Sequence, residues 1–390
     1  MQPCRRPPHT HIPGACLFDN GYKRFRGRVG AMSAEAPGGG GPPVSPSLPR
    51  TYAGGAVATA VALCPALSQP YVPTPWCAGA AAQFALQQSR VALHGVTPPP
   101  FVDQTLQAPD GETLRIRWLH ASSPRGVAVL LHGITGCALD MAETATTLAA
   151  AGWSAAAFER RGHGPPLTQP RFNTTGCVDD LRLALAAVRA AYPGAPVCAV
   201  AVSAGCSLLI RYLGEQGEAS AVDSAVCVCT GFGLRRSLRA IDAGSVGKLM
   251  LWRMKSFFLE KNRAVLAEHP ATASLAAADG LVQWHAHQWQ LSGDADEASY
   301  FRQHRTEASL RRIRVPTLFL NADDDFVFPP DVSDGFLIAP RLSPWLAAVR
   351  TAEGGHATYF EGPNATSWAS RVSLEWADAT LRDKLGGMEL

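Results

Sequence analysis

The stretch VCAVAVSAGCSLLI, residues 197–210, sets a serine between two apolar runs of different period. VCAVAV is β-branched and continuous, as in a strand buried on both faces, while SAGCSLLIRYLGEQG carries helical spacing and ends near Gly214. A serine at such a strand-to-helix turn is a candidate nucleophile when the residues two before and two after it are small. The usual pattern is G-x-S-x-G. Here Ala201 takes the first glycine's place and Gly205 keeps the second. A serine that only caps the following helix would read the same way.

Working outward, the same alternation repeats on both sides. FVDQTLQ, the turn Pro109-Asp110-Gly111 and TLRIRWLH predict a β-hairpin. GVAVLLH (126–132) predicts a buried strand, CALDMAETATTLAAAG a helix closed by Gly152, WSAAAF a strand and VDDLRLALAAVRAAYP a helix. AVDSAVCVCT predicts the strand after the serine's helix. Strand quality then lapses over 232–305, where only helical patterns occur. It returns in VPTLFLNA (315–322) and AAVRTA (347–352), and a helix over about 366–384 closes the pattern. Short connections between alternating strands and helices argue an α/β fold: a mostly parallel central sheet, helices on both faces and a helical cap insertion at 232–305.

Three further segments end on strands and carry chemistry. In LHGITG (131–136) a His-Gly lets a loop backbone approach Ser203. An N–H from Ile134 or Thr135, with that of Ala204, would hold a developing oxyanion. His132 is read as ordering this loop, not as the base. In NADDDFVFP (321–329) three aspartates compete. The acid is expected just before a hydrophobic residue, an apolar stretch and a proline, which selects Asp325, with Asp324 second. In EGGHATYFEG (353–362) two glycines free the backbone to aim His356. The order Ser203, Asp325, His356 gives nucleophile, orienting acid and base, the minimum a serine hydroxyl needs to attack a carbonyl.

Composition excludes other classes. Of the 390 residues 47% are hydrophobic and 17% charged, enough for a large core, and the net charge of +3 offers no nucleic-acid footprint. Ten cysteines are scattered with no C-x-x-C pair, which reads as free thiols in a reducing, intracellular setting. The sequons at Asn173 and Asn364 carry little weight there. His285 and His287 form H-x-H in the cap without a nearby third ligand, so neither metal nor cofactor is expected. No run of 18 strongly apolar residues occurs, and AGGAVATAVALCPAL (53–67) reads as a buried or interfacial segment or a weak anchor.

Residues 1–50 hold seven Lys/Arg against Asp19 and Glu35 and have no periodicity. They read as a disordered arm, compatible with a transit peptide or with a later start at Met32. The domain reading is an arm to residue 50, a leader over 51–100 packing on the core, and a catalytic domain over 101–385.

Specific motifs resemble the AB hydrolase 4 group of the α/β-hydrolase superfamily. That group includes the animal α/β-hydrolase domain-containing proteins one to three, YheT-type esterases and plant embryogenesis-associated proteins. CPALSQPYVPTPWCAGAAAQ resembles its Y-x-P-T-x-W-x-x-G-x-x-Q leader. APDGETLRIRWL resembles its hairpin, RRGHGPPLTQPR (160–171) its R-G-x-G-x-x-P-L-T-x-P-R loop, and RYLGEQG the end of its elbow helix. The chain departs from the pattern at Ala201, Cys206 and Arg117. The resemblance implies an α/β-hydrolase fold with its triad on Ser203, Asp325 and His356. It also implies hydrolysis of carboxylic esters with lipid-like or short acyl chains, as in an acylglycerol lipase or carboxylesterase. KLMLWRMKSFFLEK (248–261) suits an acyl pocket or a membrane-facing lid, or equally a plain amphipathic helix on the core. Acyl transfer on the same triad and a silent binding protein are the alternatives. Partners are an ester or lipid substrate and a peripheral membrane contact, with no nucleic acid.

Overall fold

The computed structural model describes residues 47–386. Nine strands form one sheet: β1 Arg50–Ala53, β2 Val102–Gln107, β3 Thr113–Leu119, β4 Gly126–Leu131, β5 Trp153–Glu159, β6 Val197–Val202, β7 Ser224–Val228, β8 Thr317–Ala322 and β9 Leu346–Thr351. Their order is β1-β9-β8-β7-β6-β4-β5-β3-β2. The six strands β4 to β9 run parallel, and the β2–β3 hairpin and β1 close the two edges antiparallel. This is the mostly parallel sheet with a helical insertion that the alternating pattern predicts.

The continuous apolar strands follow from burial on both faces. In β4, Val127, Val129 and Leu131 join one core and Ala128 and Leu130 the other. The principal helices are α1 Ala80–Val96, α2 Ala142–Ala150, α3 Val178–Ala191, α4 Ala204–Gln216, α5 Leu234–Ala243, α6 Ser245–Met254, α7 Pro270–Ala277, α8 Leu281–Ser292, α9 Glu297–Gln303 and α10 Trp368–Thr380. On one face α3 and α4 press Leu185, Val188, Leu208 and Tyr212 onto the sheet. On the other, α2 and α10 supply Leu148, Val372 and Trp376. Helices α5 to α9 build a third core around Leu238, Leu251, Phe258 and Trp284. That separate core is what makes the insertion a cap rather than a long loop.

One segment differs from the sequence expectation, and a second takes the buried one of its readings. Arg50, counted with the arm, opens β1, and its backbone pairs with Arg350 of β9. Residues 1–46 of that arm lie outside the described residues. Four residues, three of them exposed, give no period by which a strand could be read. The 53–67 segment forms short helical turns whose Val57, Cys64 and Leu67 pack on the sheet beside Trp376. No helix among the described residues is long and apolar enough to cross a membrane.

Candidate active site

The β6–α4 turn is tight. Ser203 sits at φ +54°, ψ −117°, a conformation non-glycine residues rarely adopt. Its N–H donates to the Val228 carbonyl at 3.0 Å, which ties the turn to β7. A Cβ on Gly205 would lie 2.4 Å from the Leu131 carbonyl oxygen, so glycine is required there. Ala201 is fully buried and faces Leu131 and Cys227 in register. Its methyl belongs to the core that α3 and α4 press onto this face of the sheet. Cys206 is likewise buried, with Sγ 3.3 Å from the Ala201 carbonyl and 3.4 Å from that of Val228. The Ser203 side chain makes no capping bond to α4.

Instead Ser203 Oγ lies 3.0 Å from His356 Nε2. On the far side of the ring, His356 Nδ1 is 3.0 Å from both Asp325 oxygens. A carboxylate can only accept, so Nδ1 carries the proton and Nε2 presents its lone pair to the serine. Asp325 is 1% exposed and also accepts the Val327 and Phe328 N–H groups at 2.8 and 2.9 Å. Burial pushes its carboxyl up. The His356 ring, the bond to it and the two backbone donors outweigh burial and hold it below the ordinary range. The neighbouring aspartates are engaged elsewhere. Asp324 accepts the Gly355 N–H at 2.8 Å, and Asp323 pairs with Arg50 and Arg350. Gly354 at φ +149° and Gly355 at φ +58° bend the chain so that His356 turns inward, and a Cβ on Gly354 would meet the Tyr359 ring at 2.2 Å.

The loop after β4 brings Ile134 and Thr135 to the same cavity as Ser203, and a Cβ on Gly133 would be 3.8 Å from Ser203 Cβ. Among the described residues neither the Ile134 nor the Thr135 N–H is hydrogen-bonded. Ala204 begins α4 beside them. His132 is fully buried, its Nδ1 2.9 Å from the Gly133 carbonyl, and burial followed by the nearby Arg160 charge keeps it neutral. The structure thus brings all six sequence-selected residues to one place.

Two cavities meet at Ser203. One of about 220 Å³ is lined by His356, Phe326, Phe84, Gln88, Leu249 and Arg253, among others. One of about 70 Å³ runs under the cap past Ala204, Ile210, Leu238 and Met250. The contribution of α1 was not foreseen, although Phe84, Gln87 and Gln88 at i, i+3 and i+4 mark one helix face. Asp325, His356 and the Cys229 thiol each place an atom within 4.8 Å of the others. Burial pushes that thiol well up and so keeps it protonated, while Asp325 and His356 are bonded to each other. His285 is buried, with Nδ1 2.7 Å from the Tyr300 hydroxyl. Cys64, Cys77, Cys177, Cys198, Cys206, Cys227 and Cys229 form no disulfide among the described residues.

Residues 122–360 match the family described as serine aminopeptidase, S33 (Hydrolase_4). Phospholipase ABHD3 of Mus musculus is 25% identical over 341 residues, which cover 81% of this chain and 80% of that one. Monoacylglycerol lipase ABHD2 of Mus musculus is 27% identical over 243 residues, 55% of each chain. Among solved structures, the Pyrococcus furiosus esterase PF2001 aligns with a TM-score of 0.49 at 15% identity, over 75% of this chain and 94% of that one.

Proposed function

Because the chain belongs to the serine aminopeptidase S33 (Hydrolase_4) family of α/β-hydrolases and is a serine hydrolase, we propose that it cleaves carboxylic esters with lipid-like or short acyl chains. The observation that carries this is the unbroken line from Ser203 Oγ through the His356 ring to the buried Asp325 carboxylate. In this reading Ser203 attacks the ester carbonyl as His356 Nε2 takes its proton. Asp325 holds the ring's tautomer and stabilises the imidazolium. The Ala204 N–H, with that of Ile134 or Thr135, receives the oxyanion. His356 then hands its proton to the departing alcohol. Water, deprotonated by His356, cleaves the acyl-enzyme and releases the acid.

The surroundings favour an ester over an aminopeptide. A free α-amine needs an available carboxylate, and the two acids lining the cavities are engaged: both Glu143 oxygens accept from Arg90 Nη1 at 2.9 Å, and Asp140 accepts the Cys137 N–H at 2.8 Å. The cavities also open on Ser203 from two sides, so an ester can lie across it with one half in each. The relatives' names, a phospholipase and a monoacylglycerol lipase, support a lipid-like substrate. In the 248–261 segment Met250 faces both cavities, Leu251, Met254 and Phe258 enter the cap core, Leu249 is exposed where it lines the larger cavity, and Trp252 is exposed nearby in the chain. That division supports both an acyl pocket and a peripheral membrane contact.

The test is a substrate panel run on wild type and Ser203→Ala. It includes p-nitrophenyl esters of graded chain length, monoacylglycerols and lysophospholipids. Turnover that vanishes in the variant is expected. Turnover that persists in the variant overturns the reading.

A further inference from the structure

We propose that Arg160 and His163 are positioning residues that hold the oxyanion loop with its two free N–H groups turned toward Ser203. The proposal rests on the reading above and deepens it, because it assigns the backbone orientation on which that chemistry depends.

The RRGHG motif begins directly after β5, and both side chains lie behind the 133–135 loop, lining neither cavity. Arg160 Nη2 donates to the Gly133 carbonyl at 2.5 Å. His132 Nδ1 donates to the same oxygen at 2.9 Å, while its Nε2 accepts the Arg160 N–H at 3.5 Å. His163 Nε2 lies 2.8 Å from the Ile134 carbonyl and Nδ1 3.1 Å from that of Arg161, and the tautomer that serves the loop carries its proton on Nε2, at the shorter of the two contacts. These two carbonyls belong to the peptides whose N–H groups are those of Ile134 and Thr135. In a trans peptide the C=O and N–H point in opposite directions. Pulling both carbonyls back toward Arg160 and His163 therefore turns both N–H groups forward to the cavity that Ser203 shares.

The charge makes the arrangement more than packing. Arg160 is 2% exposed and has no carboxylate partner among the described residues, and its Nε and Nη1 have no hydrogen-bond partner. A buried unpaired cation is costly, and a well-packed apolar side chain would serve stability better. Placed one peptide behind the oxyanion, the guanidinium adds to the pull of the Ile134 N–H on developing negative charge. Burial and Arg160 together keep both His132 and His163 neutral, so His163 donates without adding a second charge.

The experiment compares His163→Gln, whose amide reaches as far as Nε2, with His163→Asn, whose amide falls short, and adds Arg160→Lys. The readouts are kcat and KM on one p-nitrophenyl ester, inhibition by a trifluoromethyl ketone that forms an oxyanion on Ser203, and melting temperature. Losing one such donor costs about 10²–10³-fold in kcat. The expectation is a loss of that order for Asn and for Lys at 160, with KM within about threefold, a parallel weakening of the ketone, and the larger part of kcat retained by Gln. Asn and Gln variants that fold and share one kcat would overturn the proposal, as would ketone binding that ignores both. Either result leaves the ester reading intact, which fails only if Ser203→Ala keeps its turnover. If Asn fails to fold, Arg160→Lys against wild type decides by the same kcat and ketone criteria.

Discussion

Ser203 spends backbone strain to stand clear of its own helix, and its hydroxyl faces His356 instead of capping α4. Strain of this kind persists where the surroundings fix it, here the Val228 carbonyl and the absent side chain of Gly205. The acidic loop gives the sharpest prediction at this scale. Asp325→Asn should lower kcat by about 10⁴-fold, as loss of the orienting acid does in a comparable triad. Asp324→Asn should cost far less, because Asp324 is bonded to loop backbone at Gly355 and not to His356. Equal losses, measured as kcat on one ester, would place the acid wrongly. Ala201→Gly should leave the rate within about tenfold. It removes one buried methyl, worth about 0.8 kcal/mol, and touches neither hydroxyl nor base. A hundredfold gain would mean that Ala201 holds Ser203 off its working position. The meeting of Ser203, Asp325 and His356 was legible in the sequence, because each follows a strand of the sheet in a fixed order. The partners of Asp323 were not, since Arg50 and Arg350 lie far from it along the chain.

Strands and helices whose period is complete were readable to within a residue or two, as in β4 and α3. What escaped has no period or takes its meaning from a distant contact. β1 is four residues long and exists because β9 offers an unpaired edge. α1 reads as an ordinary amphipathic helix, and only the fold reveals that Phe84 packs edge-on against Phe326, with ring centroids 5.4 Å apart, at the rim of the larger cavity. Glycines separate at this scale too. Gly205→Ala sets a Cβ against strand β4 backbone at 2.4 Å, and such overpacking costs roughly 1–3 kcal/mol. A lowered melting temperature with lost turnover is expected. Gly95→Ala, in the last turn of α1 with nothing inside 4 Å of the new Cβ, should raise the melting temperature slightly, by less than the roughly 0.5–1 kcal/mol that alanine gains over glycine in mid-helix. If calorimetry ranked the two the other way, the β4–α4 crossing would not be the constraint described.

At the scale of the molecule, four of the described histidines are buried neutral: His132, His163, His285 and His304, with His285 pushed down to about 3 by burial. Each has a folded pKa below that of the unfolded chain, about 6.5. Below that pH the unfolded state binds protons that the fold refuses, so stability rises with pH through this window. It is fully present above about pH 7 and falls as the pH drops, by up to about 1.4 kcal/mol per pH unit for each group. Asp324 and Asp140, raised by burial, oppose this only nearer the ordinary carboxylate range. Melting temperature should therefore decline steadily from pH 7 to pH 5, and a flat profile would contradict the neutral assignments.

The account stands most directly on the identity of the nucleophile. The measurement is fluorophosphonate labelling of the purified wild-type protein, with the modified peptide sequenced by mass spectrometry. One label per chain is predicted, on Ser203, lost in Ser203→Ala and strongly slowed in Asp325→Asn. A folded wild type that takes no label, or takes it on another residue and keeps it in Ser203→Ala, would contradict the account.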